Sequence, residues 1–128
     1  MSDQQDNVPL SVLLEHLKWN LQRFKEMLDQ EATPYFRDAA LQRFEFTMGS
    51  VLKCIAAAAD QKEDADTMEL LKHAVKQNWF PEGTDPQDIL NSIDNLKPDS
   101  RAAKADEIYS KLRGYSDCFE TLRNQISK

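Results

Sequence analysis

The sequence predicts an all-α fold, an up-and-down four-helix bundle with one short extra helix. Apolar residues recur at alternating spacings of three and four over long stretches, which is the period of a helix with one buried face. The 128 residues include only three glycines, and four alanines stand together at residues 56–59, a composition that favours helix over sheet. The connections between the helical stretches are short, so neighbouring helices are expected to run antiparallel.

A cap-and-proline signal separates the first two predicted helices. The first carries a stripe of leucines and one phenylalanine and runs from Leu10 to about Glu31. Thr33 then supplies an N-cap, and Pro34 occupies the first helical position, where its missing N–H costs nothing. The second helix therefore starts at Pro34 and is expected to end in the charged run DQKEDAD at residues 60–66. Its predicted buried stripe is Leu41, Phe44, Met48, Val51 or Leu52, Ile55 and Ala59.

Two shorter helices follow the charged run. Asp66 opens a capping box, which predicts a third helix to about Trp79. Asp85 and Pro86 repeat the cap-and-proline signal for a helix of about two turns. That helix is expected to stop before Pro98, because the residue preceding a proline avoids the helical conformation.

The last helix is predicted as one continuous element from about Ser100 to the C-terminus. Its apolar residues keep the four-three spacing throughout. They are Ile108, Leu112, Tyr115, Phe119, Leu122 and Ile126. No repeat or second domain is visible, so residues 1–128 are expected to form a single domain.

Charge and cysteine content narrow the functional classes. The formal net charge of -6 disfavours strong non-specific binding to nucleic acid. The segment MSDQQDN at the start has no leader-like pattern, and no stretch approaches the ~20 apolar residues that span a bilayer, so a cytoplasmic protein is expected. Cys54 and Cys118 stand far apart within helical patterns, which predicts two core thiols rather than a disulfide or a zinc site.

The second helix carries charged residues close to its buried stripe. Arg37 falls within the apolar arc, so its guanidinium is expected to face inward and to need a carboxylate partner. The candidates are Asp38, Glu45 or an acid from another helix. Asp38, Gln42 and Glu45 follow one edge of the same arc. This polar seam is either a structural ion pair that orients two helices or part of a pocket.

Two further surfaces are candidate interfaces. On the opposite side of the second helix lie small residues and a phenylalanine, a pattern that suits a dimer contact. They are Phe46, Gly49, Ser50, Lys53 and Ala57. On the first helix, an aromatic and basic patch consists of Val12, His16, Trp19 and Arg23. That patch is either a binding surface or, as we favour, covered by the short helix or a loop.

Motifs for catalysis are missing from the sequence. His16 and His73, the two histidines, have no spacing that would form a metal site. The glycines stand alone at positions 49, 83 and 114, so no phosphate-binding loop is present, and no G-x-S-x-G signature supports a serine nucleophile. Neither a cofactor nor a metal is expected, and the chain is predicted not to be an enzyme.

The stretch YFRDAALQRFEFT at residues 35–47 resembles the signature of the nucleotidyltransferase substrate-binding family, whose core is Y-x-R-D-x-x-x-Q-R-F-E. The order of the later segments is similar as well, and the resemblance covers about residues 10–125. It implies a helical bundle of the HEPN group, commonly homodimeric and paired with a minimal nucleotidyltransferase subunit. The residues that the resemblance marks for substrate or partner binding are Arg37, Asp38, Gln42, Arg43 and Glu45.

Some HEPN proteins are toxin ribonucleases with an R-N-x-x-x-H-x-Y motif before the last helix. The corresponding segment here is DNLKPDSR at residues 94–101, in which only Asn95 matches the motif. Asn95 is therefore also predicted to bind a substrate or partner. Asp94 and Asp99 place negative charge where a phosphate needs stabilising, and Arg101 replaces the tyrosine that a partner enzyme modifies. The resemblance therefore favours a non-catalytic binding subunit. The alternatives are a toxin-type ribonuclease and an unrelated helical adaptor.

Overall fold

The structure, a computed structural model, describes residues 8–61 and 65–128, and the expected all-α fold is confirmed for them. In this part of the chain, none of the helices is both long and apolar enough to cross a bilayer. The described residues form six α-helices: α1 (Leu10–Leu28), α2 (Pro34–Ala58), α3 (Thr67–Lys76), α4 (Pro86–Asp94), α5 (Pro98–Tyr109) and α6 (Leu112–Ile126).

The predicted N-caps are present at the starts of α2, α3 and α4. The hydroxyl of Thr33 accepts a hydrogen bond from the Phe36 amide at 3.2 Å. The carboxylate of Asp66 accepts from the Glu69 amide at 3.2 Å, and that of Asp85 accepts from the Gln87 amide at 2.9 Å. Each cap satisfies a backbone donor that has no partner within its own helix, so these starts are encoded locally.

The core is built around the packing of α1 against α2, with α6 against both. Phe24 of α1 contacts Phe44 of α2, with ring centroids 6.1 Å apart. Phe44 also stacks on Tyr115 and Phe119 of α6, at centroid distances of 5.2 and 6.1 Å. All four rings are buried. This aromatic cluster therefore joins the consecutive helices α1 and α2 to α6, which is distant from them in sequence.

The prediction of one continuous last helix is wrong, because the helix breaks at Ser110 and Lys111. Both residues keep near-helical angles, φ -64° and ψ -18° at Ser110 and φ -97° and ψ -9° at Lys111. The side-chain spacing therefore continues through the break. For this reason Ile108 and Leu112 are both buried, and the apolar period alone gives no sign of an interruption.

Helix contacts on either side of the break explain why the chain must turn. Along α5, Arg101 contacts Glu45, and the later Asp106 contacts the earlier Arg37. Contacts of α6 with α1 also run in reverse order: Arg113 bonds to the carbonyl of Leu28, and Glu120 to Lys25. α5 therefore runs antiparallel to α2, and α6 runs antiparallel to α1. Because α1 and α2 are themselves antiparallel, α5 and α6 run in opposite directions.

A polar network holds α4 against the break. The Tyr115 hydroxyl donates to Asp88 Oδ2 at 2.8 Å and lies 2.6 Å from the hydroxyl of Ser92. Lys111 Nζ donates to Asp88 Oδ1 at 2.7 Å. The hydrogen bond from Lys111 lowers the pKa of Asp88, and burial raises the pKa of Tyr115. Lys111, which lies at the turn, is thus bonded to a residue of α4 that precedes it by 23 positions in the chain.

Removing the central aromatic ring tests the core. Phe44→Ala is expected to lower the free energy of unfolding by about 3–5 kcal/mol, because it leaves a cavity among three buried rings. Urea denaturation followed by circular dichroism measures the change. Tyr35→Ala is the matched control on the same helix, since the Tyr35 side chain is 75% exposed, and a loss above about 1 kcal/mol there would contradict this account.

The Asp88–Lys111 pair predicts a specific acid sensitivity. Because the folded-state pKa of Asp88 lies below its ordinary value of 3.8, the pair contributes stability above that pH and loses it as the pH falls through the lowered pKa. The gap in unfolding free energy between the wild type and Asp88→Asn should therefore shrink between about pH 5 and about pH 2. Urea titrations across that range measure it, with Asp117→Asn as the control for losing an exposed carboxylate. A gap that stays constant or widens would contradict the prediction.

Candidate functional site

Arg37 has the carboxylate partner that was expected, and it has two of them, one from its own helix and one from α5. The Arg37 guanidinium donates to Asp106 Oδ1 of α5 at 2.9 Å and to Asp38 Oδ1 at 3.1 Å. The hydrogen bond with Asp106 is the main reason that the pKa of Arg37 is raised. Arg37 is 26% exposed, whereas Asp38 is 60% and Asp106 88% exposed. The arginine therefore lies at the edge of the α2–α5 contact rather than inside the core.

Glu45, the other predicted partner of Arg37, pairs with Arg101 instead. Arg101 Nη1 lies 3.1 Å from Glu45 Oε1 and donates to the carbonyl of Leu96 at the same distance. Arg101 was expected only as the replacement of a family tyrosine, so its structural role was missed. No pattern of neighbouring residues could have predicted this ion pair, because 56 positions separate Glu45 from Arg101.

The remaining predicted binding residues are divided between two surfaces. Asp38, Gln42 and Glu45 are exposed along the α2–α5 edge. Arg43 points elsewhere, because its guanidinium carbon lies 5.8 Å from the ring centroid of Phe46. Asn95 is half-buried at the C-cap of α4. We call the strip formed by Arg37, Asp38, Gln42, Glu45, Arg101 and Asp106 the α2–α5 seam. It is an open surface in which two ion pairs, Arg37–Asp106 and Glu45–Arg101, join α2 to α5.

The second surface lies between α1 and α2. A groove of about 410 Å³ joins the predicted dimer residues to the first helix. It is lined by Leu13, His16, Asn20, Glu45, Phe46, Gly49, Ser50 and Lys53. Around it, Val12, Trp19 and Phe46 are 40%, 55% and 52% exposed. The expectation that the short helix or a loop covers the Val12–Trp19 patch is wrong for the residues that the structure describes. We call this surface the α1–α2 face.

Polar side chains join the two helices beneath this face. The Asn20 side-chain amide donates to the Ser50 hydroxyl, and the Asn20 carbonyl accepts from the Thr47 hydroxyl at 3.2 Å. Thr47 is fully buried and also bonds to the carbonyl of Arg43 at 2.7 Å. The sequence pattern gave no reason to select Asn20 or Thr47. Together they set Asn20 at the level of residues 47–50 along α2.

Groups that could support catalysis or metal binding are dispersed. Within residues 8–61 and 65–128, no three His, Cys, Asp or Glu side chains are grouped as a metal site requires. His73 packs edge-on against Trp79, with centroids 5.5 Å apart. Cys54 is buried as expected, and burial raises its pKa to about 12, whereas Cys118 is only half-buried beside Thr84. A thiol with a raised pKa is a poor nucleophile at neutral pH.

Comparisons with protein-family models, curated proteins and solved structures find no match for this chain. The functional assignment therefore depends on the geometry of the two surfaces and on the residues that they contain.

A double-mutant cycle tests the Arg101–Glu45 link of the seam. Because both side chains are more than a third exposed, their coupling energy should be no larger than about 1 kcal/mol. Arg101→Ala should destabilise more than Glu45→Ala, since it also removes the bond to the Leu96 carbonyl. Chemical denaturation of the two single variants and the double variant measures these terms. If the two single variants lost the same stability, the result would contradict a contribution from the hydrogen bond between Arg101 and the Leu96 carbonyl.

Proposed function

We propose that this chain is the non-catalytic, substrate-binding partner subunit of a minimal nucleotidyltransferase and that it acts as a homodimer. Within the all-α class, the proposed fold is a HEPN-like four-helix bundle whose main helices are α1, α2, α3 and the α5–α6 segment, which takes the place of one last helix. In this proposal α4 is the short extra helix. The α2–α5 seam is the surface offered to the enzyme or its substrate.

The observation that carries the proposal is the arrangement of the signature residues on α2. Arg37 and Glu45 are held by Asp106 and Arg101 of α5, while Gln42 is exposed between them. Charged side chains that are already held in place lose less conformational entropy when a partner binds. Charge patterns at the edge of an interface also govern specificity and the rate of encounter. The seam has both properties.

Residues 94–101, which run from the end of α4 into the first turn of α5, support binding rather than RNA cleavage. A ribonuclease of this type needs cationic or titratable groups near the scissile phosphate. Here the Asp94 carboxylate lies 3.8 Å from Lys97 Nζ, and the Arg101 guanidinium is already engaged by Glu45 and Leu96. The cations of this segment are thus partly neutralised by neighbouring acids.

Complex formation with a nucleotidyltransferase encoded beside this chain tests the proposal. The two proteins are expected to co-purify after co-expression. Charge reversal at an exposed seam residue, Asp38→Lys, should weaken the complex by about tenfold or more, measured by calorimetric titration. Lys72→Glu, at an exposed position of α3, is the matched control and should leave the affinity unchanged.

Two results would overturn the proposed function. The first is failure of the two proteins to associate at micromolar concentrations. The second is cleavage of total RNA by the purified chain that is abolished by Asn95→Ala, because this would assign the segment at residues 94–101 to a ribonuclease site. Circular dichroism of each variant establishes that its fold is retained.

A further inference from the structure

The groove of the α1–α2 face has the size and lining of a small-molecule site. Its volume of about 410 Å³ falls within the range of roughly 300–1,000 Å³ that is usual for ligand pockets. Leu13 contributes a buried apolar side chain, and Phe46 contributes a ring that is 52% exposed. Polar side chains from both helices complete the lining. An aromatic surface with a few convergent polar groups is typical of sites for small ligands.

The polar side chains follow a fixed order along the groove. Asn20 of α1 is bonded to Ser50 of α2, which fixes the level of the two helices. His16 lies one turn before Asn20 in the chain, and Lys53 lies nearly one turn after Ser50. Because α1 and α2 are antiparallel, His16 and Lys53 stand at about the same level on opposite walls. These four side chains therefore converge on one end of the groove.

This end of the groove is rich in hydrogen-bond donors. The Ser50 hydroxyl accepts the hydrogen bond from Asn20, so its own O–H remains free to donate to a ligand. Lys53 carries three donors and takes part in none of the ion pairs formed within residues 8–61 and 65–128. His16 is exposed and adds a ring nitrogen. A ligand that is rich in acceptor oxygens would satisfy these groups.

The charges around the groove favour an anion. Among the residues that line it in the described part of the chain, Glu45 is the one acid, and Arg101 holds its carboxylate in the α2–α5 seam. Lys53 brings a positive charge to one end, and Arg43 brings another beside Phe46. In a chain with a net charge of -6, this surface is locally positive. Charge-assisted hydrogen bonds from such cations are stronger than those between neutral groups.

The other end of the groove offers an aromatic surface. Phe46 lies one turn before Ser50, about 6 Å along the axis of α2. The Arg43 guanidinium carbon lies 5.8 Å from the Phe46 ring centroid. Next to them Gly49 is exposed, and a Cβ atom built there meets no atom within 4 Å, so a planar group can approach the backbone closely. Heterocyclic bases stack on aromatic rings of this kind with little dependence on the base.

We propose that this groove binds a nucleoside monophosphate, with the phosphate at His16, Ser50 and Lys53 and the base on Phe46 beside Gly49. One sugar spans the separation of about one helical turn between the two ends. The site goes beyond the proposed function, because it lies outside the surface offered there to the enzyme. It requires neither a nucleotidyltransferase nor a second copy of the chain.

Calorimetric titration with AMP tests the site. The dissociation constant should be below about 1 mM. Adenosine lacks the phosphate and ribose 5-phosphate lacks the base, so each should bind about tenfold or more weakly than AMP. Inorganic phosphate should bind more weakly than ribose 5-phosphate. In a parallel NMR titration, AMP should shift the amide signals of residues 16–20 and 46–53 more than those of α3.

Variants at exposed positions separate the two ends of the site. Lys53→Gln should weaken AMP about tenfold and leave adenosine unchanged, because it removes one cation from the phosphate end. Phe46→Ala should weaken AMP and adenosine by the same factor and leave ribose 5-phosphate unchanged. Lys72→Gln, at an exposed lysine of α3, is the matched control and should leave the affinity for AMP unchanged. Circular dichroism establishes that each variant is folded.

Four outcomes would overturn the proposal. AMP that fails to bind at about 5 mM has no site of this kind. Equal affinities for AMP and inorganic phosphate would show that Phe46 does not hold a base. Equal losses in Lys53→Gln and Lys72→Gln would reveal a non-specific effect of charge. Affinity for AMP that falls as the chain associates with itself would show that a second copy covers the groove. A chain that binds AMP here yet binds no nucleotidyltransferase would refute only the proposed function.

Discussion

The stack of buried aromatic rings around Phe44 is the contact on which the rest of the molecule depends. Phe24 brings α1 to it, and Tyr115 and Phe119 bring α6. Aromatic side chains bury roughly 150–250 Å² each, so four of them in contact dominate the apolar area lost to solvent. Tyr115 also donates to Asp88, which extends the same arrangement to α4. The turn before α6, and hence the direction of α5 along α2, follows from where this stack holds α6.

Ion pairs between helices select the register rather than supply the stability. Arg37–Asp106, Glu45–Arg101 and Lys25–Glu120 each join two helices at the surface. Pairs of this exposure contribute about 0–1 kcal/mol each, far less than the aromatic core. These ion pairs disfavour other registers of the helices, because sliding α5 along α2 would bring like charges together.

Glu45 belongs to both the α2–α5 seam and the α1–α2 face. Its carboxylate accepts from Arg101 in the α2–α5 seam, and the residue also lines the groove of the α1–α2 face. The two surfaces are neighbours on α2, because Asp38, Gln42, Glu45, Gly49 and Lys53 follow one another at spacings of four, three, four and four residues.

Local patterns in the chain are sufficient to place the starts of α2, α3 and α4, because a cap needs only residues three or four positions apart. The buried stripe of α2 and the need of Arg37 for a carboxylate also follow from helical geometry alone. The break at Ser110 and Lys111, the choice of Asp106 and Arg101 as partners, and the exposure of Val12 and Trp19 could not be predicted in this way. Each depends on contacts between residues distant in sequence, and a helical period is the same on both sides of a turn whose backbone angles stay near-helical.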